Sequence, residues 1–101
     1  MDEEMVVFAL QVRAARALLG WKQSELAKRV GLAQPTVARI EKGTMIPRLS
    51  TVTRIRAAFK ECGLEVIDNL PQGGFTLHVS RLTITTAFNL MKEMICSEGT
   101  E

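Results

Sequence analysis

The chain has 101 residues, 47% of them hydrophobic and 24% charged, with a net charge of +2, which predicts a compact domain with a short extension and excludes a disordered chain. Two cysteines, Cys62 and Cys96, and one histidine exclude a disulfide scaffold and suggest no metal site or cofactor, so we expect reduced, buried thiols. The acidic start is unlike a signal peptide and no apolar run could span a membrane, so we expect a cytoplasmic protein.

Apolar side chains recur at helical spacing through the first sixty residues. A first helix is predicted over residues 6–19 and ends at Gly20; its predicted inner face consists of Val6, Val7, Leu10, Ala14, Ala17 and Leu18. Shorter helices are predicted over residues 23–30 and 34–42, joined at Gly31 because glycine accepts a left-handed turn. A further helix is predicted from Thr51 to Glu61 with Ser50 as its N-cap, and residues 44–49 leave room for at most one helical turn.

The pattern changes after Gly63. Residues 64–67 and 75–79 alternate between apolar and polar, and turn-forming residues separate them, which predicts a β-hairpin. From Ile84 to Ile95 the helical spacing returns, which predicts an amphipathic C-terminal helix.

Charge is unevenly distributed along the chain. Eleven basic residues lie between Arg13 and Lys60, against only two acidic ones, Glu25 and Glu41. The rest of the chain is acidic. This asymmetry favours contact between residues 13–60 and a polyanion such as nucleic acid, although a solvated basic face would have the same composition.

Residues 21–43 carry the most informative motif. The chain resembles the Cro and phage-repressor (Xre-type) helix-turn-helix family over about residues 8–62. The matching residues are Gln23, Glu25, Leu26, Ala27, Gly31, Thr36, Val37, Arg39, Ile40, Glu41, Gly43 and Pro47. The resemblance implies a mainly α fold, with a five-helix repressor-like helix-turn-helix domain over residues 5–62. Here a β-hairpin and a C-terminal amphipathic helix follow over residues 63–97.

The resemblance also implies a function: a sequence-specific transcriptional regulator, in most cases a repressor, that reads the major groove of double-stranded DNA with its third helix. The positions that would face base edges are Gln34, Pro35, Thr36 and Arg39. Gln34 suits adenine and Arg39 suits guanine, whereas Pro35 offers only van der Waals contact. The family's phosphate contact corresponds to Gln23, and the flanking cations Lys22, Lys42 and Arg48 are candidate phosphate clamps. For Arg39, a simply solvated arginine is the alternative.

Two further features follow from the family pattern. The resemblance implies an ion pair between Arg16 and Glu41 that orients the third helix. The chain departs from the family at Lys22 and Ala33, where serine or threonine is usual, so both short helices are expected to lack a side-chain N-cap.

The last forty residues are acidic and rich in apolar groups, so we expect part of them to cover the helical domain and the rest to join two copies. The predicted dimer interface consists of Val66, Phe75, Leu77, Val79, Phe88 and Met91. A homodimer suits a palindromic operator. The alternatives are an antitoxin that represses its own operon and binds a partner toxin, and a protein-interaction module that does not bind DNA. No residues show a catalytic arrangement, so we expect no enzyme. A bacterial or phage-encoded protein associated with the nucleoid is implied.

Overall fold

The structure is a computed structural model that describes residues 2–69 and 71–98. Its elements in chain order are α1 (Glu3–Leu19), α2 (Gln23–Val30), α3 (Gln34–Glu41), α4 (Leu49–Glu61), β1 (Leu64–Asp68), β2 (Phe75–Val79) and α5 (Arg81–Glu98). The predicted mainly helical class, with a hairpin and a C-terminal helix, is confirmed. Within the described residues four helices precede the hairpin and one follows it, because the segment between α3 and α4 is not helical. Among these helices none has the length and apolar content that a membrane span requires.

Helix α1 begins directly after Asp2, whose side chain caps the helix by accepting a hydrogen bond from the backbone N–H of Glu4. Its buried face consists of Phe8, Ala9, Gln11, Val12, Ala15 and Leu19. The predicted inner face was therefore wrong: three of its members, Leu10, Ala17 and Leu18, are exposed and the other three are only half-buried. Because α1 carries large apolar side chains on two faces, the spacing alone does not show which face meets the core.

The core lies where α1 to α4 meet. Its largest fully buried apolar side chains come from four elements and include Leu26, Ile40, Ile55, Phe59 and Leu64. The ring of Trp21, in the turn after α1, packs 5.9 Å from that of Phe59 between ring centres. Since Leu64 opens β1, the hairpin begins inside the helical core.

Strands β1 and β2 form a two-stranded antiparallel sheet in which Leu64 pairs with Val79 and Val66 with Leu77. Val66 and Leu77 pack against the helical core, so one face of the sheet covers the helices. The predicted hairpin is present, with Asp68 as an additional residue of β1.

Helix α4 begins at Leu49, two residues before the predicted start, and the N-cap position is held by Arg48 without a side-chain hydrogen bond. The prediction of Ser50 as N-cap was wrong, since Ser50 lies in the first turn. The ring of Pro47 fixes its φ, and the backbone of Arg48 is extended. Helix α4 therefore starts at the next residue, Leu49. At the other end of α4 the thiol of Cys62 is free and half-buried, whereas the side chain of Cys96 lies outside the described residues.

Candidate nucleic-acid interface

The turn between α2 and α3 sets the position of α3. Helix α2 buries Leu26, Ala27 and Val30. It ends at Gly31, whose φ is +71°. Residues with a Cβ adopt this left-handed conformation only at a cost in free energy. The backbone N–H of Leu32 then donates to the carbonyl of Ala27 at 2.9 Å and closes the turn. Because α3 buries Val37 and Ile40 against the core, its opposite face points outward.

A buried carboxylate at the end of α3 ties this helix to α1 and α2. The side chain of Glu41 is 5% exposed and accepts hydrogen bonds from Arg16 Nε at 2.7 Å, Arg16 Nη2 at 3.0 Å and Gln23 Nε2 at 3.0 Å. Arg16 also donates through Nη1 to the carbonyl of Trp21 at 2.7 Å. Its hydrogen bonds to Glu41 raise the pKa of Arg16 above the ordinary value. The two residues paired by the family resemblance are thus in direct bidentate contact.

Gln23, the predicted phosphate contact, has a half-buried side chain. One N–H of its amide is held by Glu41, which fixes where the rest of the amide lies at the start of α2. Its contact with phosphate stays a prediction, and only the second N–H is left to make it.

The outward face of α3 carries the residues predicted to meet base edges. Gln34, Pro35 and Arg39 are exposed and Thr36 is half-buried. Pro35 and Arg39 are four residues apart and Thr36 and Arg39 three, so these side chains occupy neighbouring positions on one helix face. Pro35 lies in the first turn, where the missing N–H costs no helical hydrogen bond.

The predicted phosphate clamps are exposed at helix ends. Lys22 precedes α2, Lys42 follows α3 and Arg48 precedes α4. In the described part of the chain no carboxylate pairs with these three cations or with Arg39; the ion pairs found there involve Arg16, Arg29 and Arg56. The cations around α3 are therefore available to an anionic ligand.

Both short helices lack the side-chain cap that the family usually provides. The N-cap residues are Lys22 for α2 and Ala33 for α3, and the side chain of neither accepts a hydrogen bond from the first turn of its helix. Backbone N–H groups at such helix starts are satisfied by solvent or by a ligand, and they favour negative charge.

A model of the helix-turn-helix family matches residues 12–67, more than half of the chain. The chain belongs to the helix-turn-helix family. It is 41% identical over 49 residues to the uncharacterized HTH-type transcriptional regulator YgzD of Bacillus subtilis, covering 48% of this chain and 74% of the relative. It is 38% identical over 63 residues to an uncharacterized HTH-type transcriptional regulator of Methanothermobacter thermautotrophicus, covering 62% of this chain and 91% of the relative. The family resemblance drawn from the sequence is thereby confirmed.

In this helix-turn-helix protein, the six residues predicted to form a dimer interface fall into two groups. Val66 and Leu77 are half-buried against the protein's own core, and Phe75 and Val79 are half-buried on the same hairpin. The other two, Phe88 and Met91, are each 63% exposed on α5. The hairpin residues thus contribute first to packing within one chain, whereas the α5 residues are open to a partner. The dimer itself stays a prediction.

Sequence reasoning missed two clusters around the helix-turn-helix. Gln11 donates to Asp68 at 2.9 Å and accepts from Arg56 at 3.0 Å, which joins α1, α4 and β1. These residues are far apart in sequence, so no local signal identifies them. By contrast, Arg29 lies 4.2 Å from the centre of the Trp21 ring and pairs with Glu25. The four-residue spacing of Glu25 and Arg29 could have indicated that pair.

Proposed function

We propose that this protein is a DNA-binding transcriptional regulator, a repressor that reads a specific site in the major groove of double-stranded DNA with α3. The observation that carries the proposal is the outward face of α3, where Pro35 and Arg39 are exposed next to the half-buried Thr36 and Gln34 is exposed at the start of the helix. An α-helix fits the width of the major groove. Family membership and relatives named as HTH-type transcriptional regulators support the proposal.

Base reading is assigned to side chains at the start and middle of α3. A glutamine makes two hydrogen bonds to adenine and an arginine makes two to guanine O6 and N7, each such pair being worth about 1–3 kcal/mol of discrimination. Gln34 and Arg39 are exposed and supply these groups. Pro35 contributes apolar contact with a thymine methyl, and Thr36 donates to a base or a phosphate.

Phosphate binding is assigned to the exposed cations and the helix starts around α3. Lys22, Lys42 and Arg48 flank the face of α3 at three helix ends. Gln23 adds its second amide N–H beside the uncapped start of α2. These contacts position the protein on the duplex without selecting a sequence.

The protein binds its operator as a homodimer. Two identical reading heads related by a two-fold axis match a palindromic site whose halves are about one helical turn apart. The exposed apolar residues of α5, Phe88 and Met91 among them, support this part of the proposal. The resemblance to phage repressors favours repression over activation.

Selection of bound sites from a random DNA pool tests this function. The wild type should enrich a two-fold symmetric site. Arg39→Ala should bind that site at least ~30-fold more weakly, because a contact worth about 1–3 kcal/mol is lost in each half, and it should lose its preference at one base pair in each half. Arg29→Ala is the matched control, because Arg29 is engaged with Glu25 and Trp21 within the molecule. An Arg39→Ala variant that selects the same sites with unchanged affinity, or a wild type that enriches no site, contradicts the proposal.

A further inference from the structure

Helix α5 presents two apolar stripes about a quarter turn apart. The first consists of Thr83, Ala87 and Leu90 and faces α1 and the hairpin: Thr83 is buried, Ala87 is half-buried, and Leu90 lies against Gly20 while remaining 40% exposed. The second consists of Ile84, Phe88, Met91 and Ile95, and is called the outer stripe below. Its four large side chains are 58%, 63%, 63% and 67% exposed. One stripe therefore packs within the chain and the other meets water.

The surface of the chain exceeds what a monomer of its size normally exposes. Scaling of surface with mass gives about 5,700 Å² for a compact monomer of 11.2 kDa, whereas this chain exposes 6930 Å². The excess of about 1,200 Å² is larger than the roughly 800 Å² that each partner buries in a stable protein interface. Of the twelve exposed large hydrophobic residues in the described part, seven lie on α5. The exposed large apolar residues are thus concentrated on α5, where a partner helix would bury them.

The outer stripe is also self-complementary. Its members are spaced by four, three and four residues, so the spacing is the same from either end. The stripe extends over about 16 Å of helix, and its spacing is that of a coiled-coil seam. When two copies pair antiparallel about an axis between Asn89 and Leu90, Ile84 meets Ile95 of the partner subunit and Phe88 meets Met91 of the partner subunit. A two-fold contact requires such a match of one patch with itself.

We propose that the outer stripe of α5 docks onto the same stripe of a second copy of this chain, antiparallel, and so forms the dimer contact. The choice of a second copy as the partner rests on the proposed function, because a two-fold symmetric operator is bound by two copies of the chain. Thr85, Asn89, Lys92 and Glu93 lie on the remaining arc of the helix and stay in water when the stripes meet. The contact leaves α3 free, since none of its residues takes part.

The oligomeric state of purified full-length chain tests the docking. Sedimentation velocity should show a dimer for the wild type, and Phe88→Glu should raise the dissociation constant of the dimer at least ~30-fold. Leu82→Glu is the matched control: Leu82 is 56% exposed on the same helix but lies off the outer stripe, so this variant should remain dimeric. Both variants should keep the wild-type melting temperature within a few degrees at concentrations where all chains are monomeric. A monomeric wild type, or equal weakening by the two variants, overturns the proposal.

A charge pair tests the orientation. In the double variant Phe88→Glu with Met91→Lys, antiparallel pairing brings the new carboxylate of each copy to the new amine of the other, so dimerisation should recover relative to Phe88→Glu alone. In a parallel pairing like charges would face each other at both positions. A double variant that is as monomeric as the single one overturns the antiparallel arrangement.

DNA binding separates failure of this inference from failure of the proposed function. Phe88→Glu should retain wild-type affinity for an isolated half-site and lose affinity for the full palindrome. A wild type that is monomeric yet binds the selected DNA overturns the docking and the homodimer part of the proposed function, and leaves the reading of DNA by α3 intact. A wild type that forms the α5 dimer and binds no DNA overturns the proposed function and leaves the docking intact.

Discussion

The carboxylate of Glu41 is nearly withdrawn from water and accepts three hydrogen bonds, two from Arg16 and one from Gln23. A buried ion pair adds little net stability, because the cost of removing both charges from water offsets their attraction. Loss of one partner is costly, since the other charge is left without compensation. The main effect of the pair is therefore on orientation: it fixes the end of α3 against α1 and the start of α2.

The variant Glu41→Ala should lower the free energy of unfolding by roughly 2–4 kcal/mol, because Arg16 loses its partner in a largely dehydrated place. Glu25→Ala is the matched control. Glu25 forms an exposed pair with Arg29 on the surface of α2, so its loss should cost no more than about 0.5 kcal/mol. Urea denaturation of both variants measures the difference. Normal stability of Glu41→Ala together with a selective loss of base discrimination would show that Glu41 acts in recognition rather than in folding.

Individual contacts were predictable only where a motif or a short spacing carries them. The pairing of Arg16 with Glu41 follows from the family resemblance, although these residues are 25 positions apart. The contact of Gln23 with the same carboxylate was not foreseen, because the motif assigns Gln23 to phosphate. The cluster of Gln11, Arg56 and Asp68 had no signal at all, since it exists only once the hairpin has folded onto the helices.

At the scale of whole elements, glycines and alternation placed the helices and strands well, and the failures concern faces and starts. Gly20 and Gly31 end α1 and α2 where expected. The inner face of α1 was wrong because its sequence is apolar on two sides. Choosing between two apolar faces needs knowledge of what packs against them, which a single helix does not contain.

The joint between α4 and β1 depends on Gly63, which has a φ of +88°. A Cβ at this position would collide with the hydroxyl of Ser80, which directly precedes α5, and press on that of Thr83 in the first turn of α5. Gly63→Ala should therefore lower the free energy of unfolding by about 3 kcal/mol or more, since a steric clash adds to the strain of the left-handed conformation.

Gly73→Ala is the control for Gly63→Ala. Gly73 has a similar φ of +84° but open space around the position of the added Cβ. Gly73→Ala should therefore lower the free energy of unfolding only by the backbone strain, about 1–2 kcal/mol. Thermal and urea denaturation of the two variants measure the two losses of stability, and their difference gives the contribution of the steric clash at Gly63. Equal losses would mean that the start of α5 moves aside without cost, and that Gly63 does not fix the angle of this helix.

Over the whole molecule, basic and apolar surfaces are segregated. The basic residues from Arg13 to Lys60 lie in the helical part that carries α3, and the large exposed apolar residues are concentrated on α5. The molecule is elongated, with extents of 49 × 29 × 22 Å. The charge split was visible in the sequence and predicted a division of labour, but the apolar residues of the hairpin and of α5 could not be assigned to the core or to a partner until their burial was known.

This segregation predicts how DNA binding responds to salt. Each phosphate contact releases a counterion, so log affinity falls with log salt concentration by about 0.9 for every phosphate that a protein neutralises. A dimeric Lys42→Gln variant loses one proposed contact per subunit, and its slope should be shallower by about 2 while its sequence preference is unchanged. Lys92→Gln removes an exposed lysine of α5 and should leave the slope as it is. Fluorescence anisotropy on the selected site, at salt concentrations from 50 to 200 mM, provides the slopes. Equal slopes for the wild type and Lys42→Gln would remove Lys42 from the DNA interface and leave Lys22 and Arg48 to clamp the phosphates.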